Sequence, residues 1–154
     1  MCGIVGLFLK DKALEPRLGA LLADMLVTMT DRGPDSAGIA IYGGIEPGRA
    51  KITVQSANPE TDFAGLKSAL EDAGISATVA VKSTHAVVDV AAEQLEPARA
   101  ALLAARPGLR VMSAGESVEI YKEVGLPKDV IARFDIAAMA GTHGIGHTLS
   151  LIHI

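Results

Sequence analysis

The sequence predicts an α+β fold in which one domain is interrupted by a smaller α+β unit. Three observations predict it. Residues 4–9 and 36–42 are short apolar runs bounded by charge or turn residues, the length and pattern of buried strands. Between them Leu18, Leu21, Leu22, Met25, Leu26 and Met29 recur at helical spacing as one apolar stripe. From about Arg49 the texture changes to alternating Val, Thr and Ala runs with Ala/Leu-rich helices. The glycine-rich texture of the first segment returns over residues 139–148.

In chain order, a strand over 4–9 ends at Lys10-Asp11-Lys12. Pro16 stands where a helix can begin, and Asp31-Arg32-Gly33-Pro34-Asp35 breaks that helix. A second buried strand follows over 36–42, closed by Gly43-Gly44. Residues 51–56 alternate as a strand. Residues 61–73 read as a helix with Asp62 near its start and Gly74 as its stop. Residues 75–90 fit one long strand or a hairpin. Residues 93–105 form a helix ended by Pro107-Gly108, and 109–121 give one or two strands around Gly115. A short helix spans 127–134, with Pro127 in its first turn. The stretch 49–135 thus reads as two helices against an antiparallel sheet, a ferredoxin-like arrangement. The domain boundaries expected are 1–48, an inserted unit over 49–135, and resumption over 136–148.

Composition narrows the function classes. The 154 residues are 49% hydrophobic and 21% charged, which suits one compact domain carrying a small insertion. A formal net charge of -4 gives no reason to expect a nucleic-acid or anionic-membrane partner. Aromatics are only 3% and Trp is absent, so the core must be built from Ala, Val, Leu and Ile. One cysteine allows no intramolecular disulfide, and a cytoplasmic setting is expected. The apolar start is short and lacks a basic flank, so no secretory signal is expected. No apolar run approaches the ~18 residues of a spanning helix, and a soluble protein is expected.

The chemistry begins at Cys2. Removal of Met1 would leave a residue carrying both a thiol and a free α-amino group. An α-amino group ordinarily titrates near ~7.7–8.0, so a fraction of such groups is unprotonated at neutrality and can act as general base. Gly3 would keep backbone bulk away from a substrate over the sulfur, and the apolar strand would hold the nucleophile rigidly. Arg32 offers a fixed positive charge that could order its loop or bias Cys2 toward thiolate. Asp35 could pair with Arg32 or cap backbone amides, the structural role being favoured. His147 reads either as a hydrogen-bonding wall of the site or as a satisfied core histidine. His85 and His143 have no metal-ligand spacing with Cys or acidic groups, and neither metal nor organic cofactor is expected.

Met1-Cys2-Gly3-Ile4-Val5-Gly6, then an amphipathic helix, then Arg32-Gly33-Pro34-Asp35-Ser36-Ala37-Gly38, resembles the opening of class II, N-terminal-nucleophile glutamine amidotransferase domains. The likeness covers residues 1–43 and 140–148. The separation of these stretches resembles the amidotransferase subunit of the glutamate synthase and N-methylglutamate synthase type. The resemblance implies part of an αββα sandwich, Cys2 as nucleophile, glutamine as substrate, and a synthase or acceptor-site partner subunit. It also implies that Gly146-His147-Thr148 should be followed by an Arg gripping the glutamine carboxylate, with Thr148 in the same strand shaping the site. Leu149 stands in that place. The Asn-Gly oxyanion donors and an Asp for the substrate amino group, which the family places further on, are not recognised here.

Two further expectations follow. The hexapeptide Leu149-Ser150-Leu151-Ile152-His153-Ile154 corresponds to a translated transposon-end sequencing adapter, so 149–154 is expected to be a non-native tail on a fragment. Such a fragment would be an inactive piece of a glutamine-hydrolysing subunit. The alternative is a non-catalytic regulatory or assembly subunit whose α+β unit binds a small ligand or docks a partner.

Overall fold

A computed structural model describes residues 1–151; of the expected tail, 152–154 lie outside the described residues. The fold is mixed α+β, with helices interleaved among two four-stranded sheets. The chain divides into two compact units, Met1–Gly44 with the residues from Ile120 onward, and Ile45–Glu119.

The first unit is organised by a strand that arrives last. Strand β1 (Cys2–Phe8) does not touch β2 (Ser36–Tyr42) directly. Strand β8 (His143–Leu149) lies between them and pairs antiparallel with both. Helix α1 (Leu18–Val27) covers one face of this sheet and buries Leu18, Leu22 and Leu26 completely. It is preceded by a 3-10 segment, Lys12–Arg17, that contains Pro16. The glycines of β8 let the helix approach. A Cβ on Gly144 would stand 2.8 Å from Leu22 Cδ2, and one on Gly146 would stand 2.9 Å from Leu26 Cδ1. The opposite face is apolar and open, with Ile4 74%, Phe8 66% and Ile145 48% exposed.

Strand β7 (Val118–Val124) flanks β2 in this sheet, and helix α5 (Pro127–Arg133) contacts both α1 and β2. The compact second unit ends at Glu119. The reason is an aromatic contact. Tyr121 and Phe134 are both buried in the first unit, with ring centroids 5.1 Å apart, and Val130 of that unit is buried as well. Local pattern marks 120–135 as a strand and a helix but does not say which core they join.

The second unit contains β3 (Arg49–Gln55), helices α2 (Pro59–Asp62) and α3 (Leu66–Asp72), the hairpin β4 (Ala77–Lys82) and β5 (His85–Ala91), helix α4 (Leu95–Ala105), and β6 (Arg110–Gly115). The sheet order is β4-β5-β3-β6, with every neighbouring pair antiparallel. Ile52, Val54, Leu70, Val88 and Leu102 anchor its core.

Where the sequence left alternatives, the backbone decides. Residues 75–90 form a hairpin whose turn holds Ser83 at φ 55°. The strands β6 and β7, adjacent in sequence, belong to different sheets. The helix expected over 61–73 is split at Gly65, which adopts φ 66°. Asp62 is drawn to the Ser56 hydroxyl, and Arg106 donates to the Asp62 carbonyl at 3.2 Å and to the Ala64 carbonyl at 2.9 Å. Carbonyls freed by the break are thereby satisfied. Among the described residues no helix is long and apolar enough to cross a membrane.

Phe134→Ala should lower stability by roughly 3–5 kcal/mol, the range for emptying a buried aromatic site. In urea unfolding followed by amide exchange, protection should fall in α1 and β2 first. Loss confined to β3, β5 and α4 would contradict this assignment of Phe134 to the first core.

Candidate functional site

Opposed residues of an antiparallel pair share a sheet face. Cys2 opposes Leu149, and Leu149 opposes Ser36, so these three form one row across β1, β8 and β2. The next row on that face is Ile4, His147 and Gly38. The Cys2 side is exposed, and its thiol is free. The nucleophile candidate therefore sits at the first position of a strand locked to its neighbour, on the face that α1 does not cover.

The intervening positions face α1. Gly3 opposes Thr148, which opposes Ala37. Thr148 is fully buried and its hydroxyl donates to the Met29 carbonyl at 3.2 Å. A Cβ on Gly3 would lie 2.9 Å from both Met29 Cβ and Thr148 Oγ1. The space that Gly3 leaves is thus filled by the helix end and by Thr148, on the face turned away from the thiol. Both residues hold the end of β1 in place from behind.

The break after α1 wraps the end of β8. A 3-10 turn at Thr30–Arg32 brings Gly33 against the backbone, where a Cβ would stand 2.4 Å from Leu149 N. Pro34 bridges to Leu149. The Asp35 N–H donates to the Leu149 carbonyl at 3.1 Å, and the Asp35 carbonyl accepts from Gly125 N–H at 2.8 Å. Asp35 Oδ2 accepts from Leu151 N–H at 2.6 Å and from the Ser150 hydroxyl at 3.4 Å. Arg32 is exposed and is not among the ion pairs of the described residues. Its guanidinium is not brought to Cys2 by any contact.

His147 is half-buried and lies over Gly38, where a Cβ would come 2.3 Å from its Cε1. Burial lowers its pKa below 6.5, and the positive charge of Lys122 lowers it further. A hydrogen bond with the Gly38 backbone acts in the opposite sense. The neutral imidazole faces the same side of the sheet as Cys2. His143 is elsewhere, stacked on Tyr42 at 4.3 Å at the far end of β8, with its Nδ1 2.8 Å from Thr142 Oγ1. Among the described residues no group of three or more His, Cys, Asp or Glu could hold a metal ion.

Sequence reasoning missed two features of this region. Ser36 is buried and its hydroxyl has no hydrogen-bond partner among the described residues, although it is directly opposite Leu149. The Ser150 N–H donates to the carbonyl of Met1, the residue before Cys2, at 3.1 Å. Ser36 lies in the quoted motif, but only strand register places it beside residue 149.

No known protein-family profile matches the chain. Over 148 residues the chain is 69% identical to the glutamine amidotransferase-like protein GlxB of Rhizobium meliloti (strain 1021). The match takes in 96% of this chain and 49% of that protein. Over 157 residues it is 29% identical to a putative glutamine amidotransferase of Methanothermobacter thermautotrophicus, covering 96% of this chain and 51% of that protein. The chain spans about half the length of these curated relatives.

His147 should titrate below 6.5 in a two-dimensional NMR pH series. With its folded pKa depressed, the unfolded chain binds the proton more readily. Stability should therefore be full above 6.5 and fall as pH drops from 6.5 through the folded pKa. His147→Gln should remove that part of the slope. A midpoint at or above 6.5 would contradict the burial argument.

Proposed function

We propose that this chain, glutamine-amidotransferase-like at 69% identity to a relative so described, carries the nucleophile-bearing part of a glutamine-hydrolysing subunit. The ammonia released would pass to an acceptor on a partner subunit. The observation that carries the reading is the exposed Cys2 thiol at the first position of β1, directly after Met1.

In this reading an aminopeptidase removes Met1, and Cys2 gains a free α-amino group. The Cys2 sulfur attacks the side-chain amide carbon of glutamine, while the amino group takes the thiol proton and passes it to the departing nitrogen. Ammonia leaves, and a glutamyl thioester remains on Sγ. Water then adds to the thioester carbon, the sulfur departs, and glutamate is released. None of these steps calls on a metal or an organic cofactor. Gly3, Thr148 and Asp35 act by holding β1 and β8 in register around the thiol. Neutral His147 forms a wall on the same face.

Leu149 bears on the activity of this chain. It is the residue directly opposite Cys2, and it brings a hydrocarbon where a substrate carboxylate needs a cation. The open apolar face of the first sheet supports a further layer of chain completing the site, as in an αββα sandwich. We also read the second unit as a ferredoxin-like insertion. Its β-α-β-β-α-β order and its antiparallel β4-β5-β3-β6 sheet support this. A second reading, a non-catalytic assembly or ligand-binding subunit, draws on the same Leu149 and on the self-contained core of that insertion.

Intact-mass measurement of the expressed chain should show loss of one methionine; a retained Met1 would count against the amino-group mechanism. In a protein of the relatives' full length, Cys2→Ala should abolish glutamine-dependent activity and spare ammonia-dependent activity. Glutaminase turnover that survives Cys2→Ala would refute the assignment. A polypeptide of these 154 residues should release glutamate from glutamine at a rate at least ~10²-fold below such a protein, because the resemblance places the oxyanion donors, worth ~10²–10³ each, beyond these residues.

A further inference from the structure

A hydroxyl taken out of water without a hydrogen-bond partner costs free energy, so buried hydroxyls are nearly always bonded. Ser36 departs from that rule. It is 6% exposed at the start of β2, and its hydroxyl has no partner among the described residues. The residue directly opposite is Leu149, whose hydrocarbon side chain can neither donate nor accept. One step back along β8, Thr148 is buried as well, but its hydroxyl is satisfied by the Met29 carbonyl at 3.2 Å. The orphan hydroxyl is the one that shares a sheet face with position 149.

The place of position 149 does not depend on the leucine there. Six antiparallel pairs, from Tyr42 with His143 to Ala37 with Thr148, fix the register before it. Any side chain at 149 thus starts opposite Ser36, with Cβ atoms about 4.5–5.5 Å apart. An arginine spans such a gap. One N–H of its guanidinium reaches a neighbouring acceptor, and the planar group keeps a pair of parallel N–H donors for a carboxylate. Leucine supplies the first carbons of that side chain and none of the donors. The resemblance to class II amidotransferase domains places an arginine after Gly146-His147-Thr148, where Leu149 stands.

We infer that Ser36 is a positioning residue of the site: its hydroxyl accepts a hydrogen bond from an arginine at position 149 and holds that guanidinium in the row shared with Cys2. The inference rests on the glutamine-site reading, in which a substrate carboxylate needs a cation opposite the thiol. Ser36 itself touches no substrate. It acts through the side chain at 149, whose fork is more useful fixed than mobile, since a long side chain must otherwise lose rotamer freedom when substrate binds.

The test is a double-mutant cycle on stability. Urea unfolding is measured for the unaltered 154-residue chain, Ser36→Ala, Leu149→Arg and the two together. With leucine at 149, Ser36→Ala should leave the folding constant within about twofold or raise it, because it removes an unsatisfied buried hydroxyl. Combined with Leu149→Arg, Ser36→Ala should lower it roughly tenfold, the worth of a hydrogen bond to a charged donor. Leu149→Met, apolar and of comparable length, should behave as leucine does. An equal effect of Ser36→Ala in the leucine and arginine backgrounds would overturn the inference, and so would a like loss alongside Leu149→Met. A second measurement uses a protein of the relatives' full length with an arginine at this position. There Ser36→Ala should raise KM for glutamine roughly tenfold and leave kcat and the alkylation rate of Cys2 within about twofold, the pattern of lost binding rather than lost structure. Unchanged KM would overturn the inference, as would a rise in KM matched by slower alkylation. The stability cycle contains no glutamine, so the two readings fail separately. Coupling in the cycle, together with hydrolysis that survives Cys2→Ala, would strike the nucleophile reading and support the Ser36 contact. No coupling in a protein whose hydrolysis requires Cys2 would strike the Ser36 contact alone.

Discussion

The first unit depends on β8 lying between β1 and β2. Neither early strand touches the other, so without His143–Leu149 the sheet has no centre. The pairing must be reached across the whole of the intervening chain. Closing so long a loop is tolerable because its entropic cost grows only logarithmically with length. Much of the intervening chain also folds on itself, as the second unit with its own core. The glycines of β8 complete the arrangement. They remove side chains where α1 must lie close, so burial of Leu22 and Leu26 and pairing of three strands are achieved by one segment.

The same constraint builds the candidate site. The end of β8 is held by β1 on one side and by the Gly33-Pro34-Asp35 turn on the other. Cys2 is consequently fixed by backbone pairing while its sulfur stays open to solvent. That combination suits a nucleophile, whose position must be rigid and whose approach must be free. Thr148, buried and bonded to the Met29 carbonyl, ties the strand to the end of α1. A cation opposite the thiol is lacking, since Leu149 holds that position. The exposed Arg32 does not supply it through any contact.

The two early strands, the stripe of α1, the turn at 31–35 and the α+β character of the middle segment were all legible in the sequence, because each is set by local periodicity or by turn chemistry. The motif residues from Arg32 to Gly38, with Cys2 and Gly3, were legible as a resemblance. Less legible was what each residue does. Gly3 reads from the sequence as clearance for a substrate, and in the structure a Cβ there would also meet Met29 and Thr148. The split of the helix at Gly65 depends on Arg106, which is remote in sequence.

By itself, then, the sequence determined that two buried strands flank an apolar helical stripe in the first 42 residues, that its one cysteine follows Met1, and that its beginning resembles glutamine amidotransferase domains. Tertiary structure alone decided that β6 and β7 enter different sheets, that Tyr121 and Phe134 belong to the first core, and that Cys2, Leu149 and Ser36 share one row. The physical reason is range. Periodicity and turn propensity act over a few residues, whereas strand register is fixed by hydrogen bonds and side-chain packing between segments distant in sequence, and a one-residue slip would turn each of those side chains to the other face.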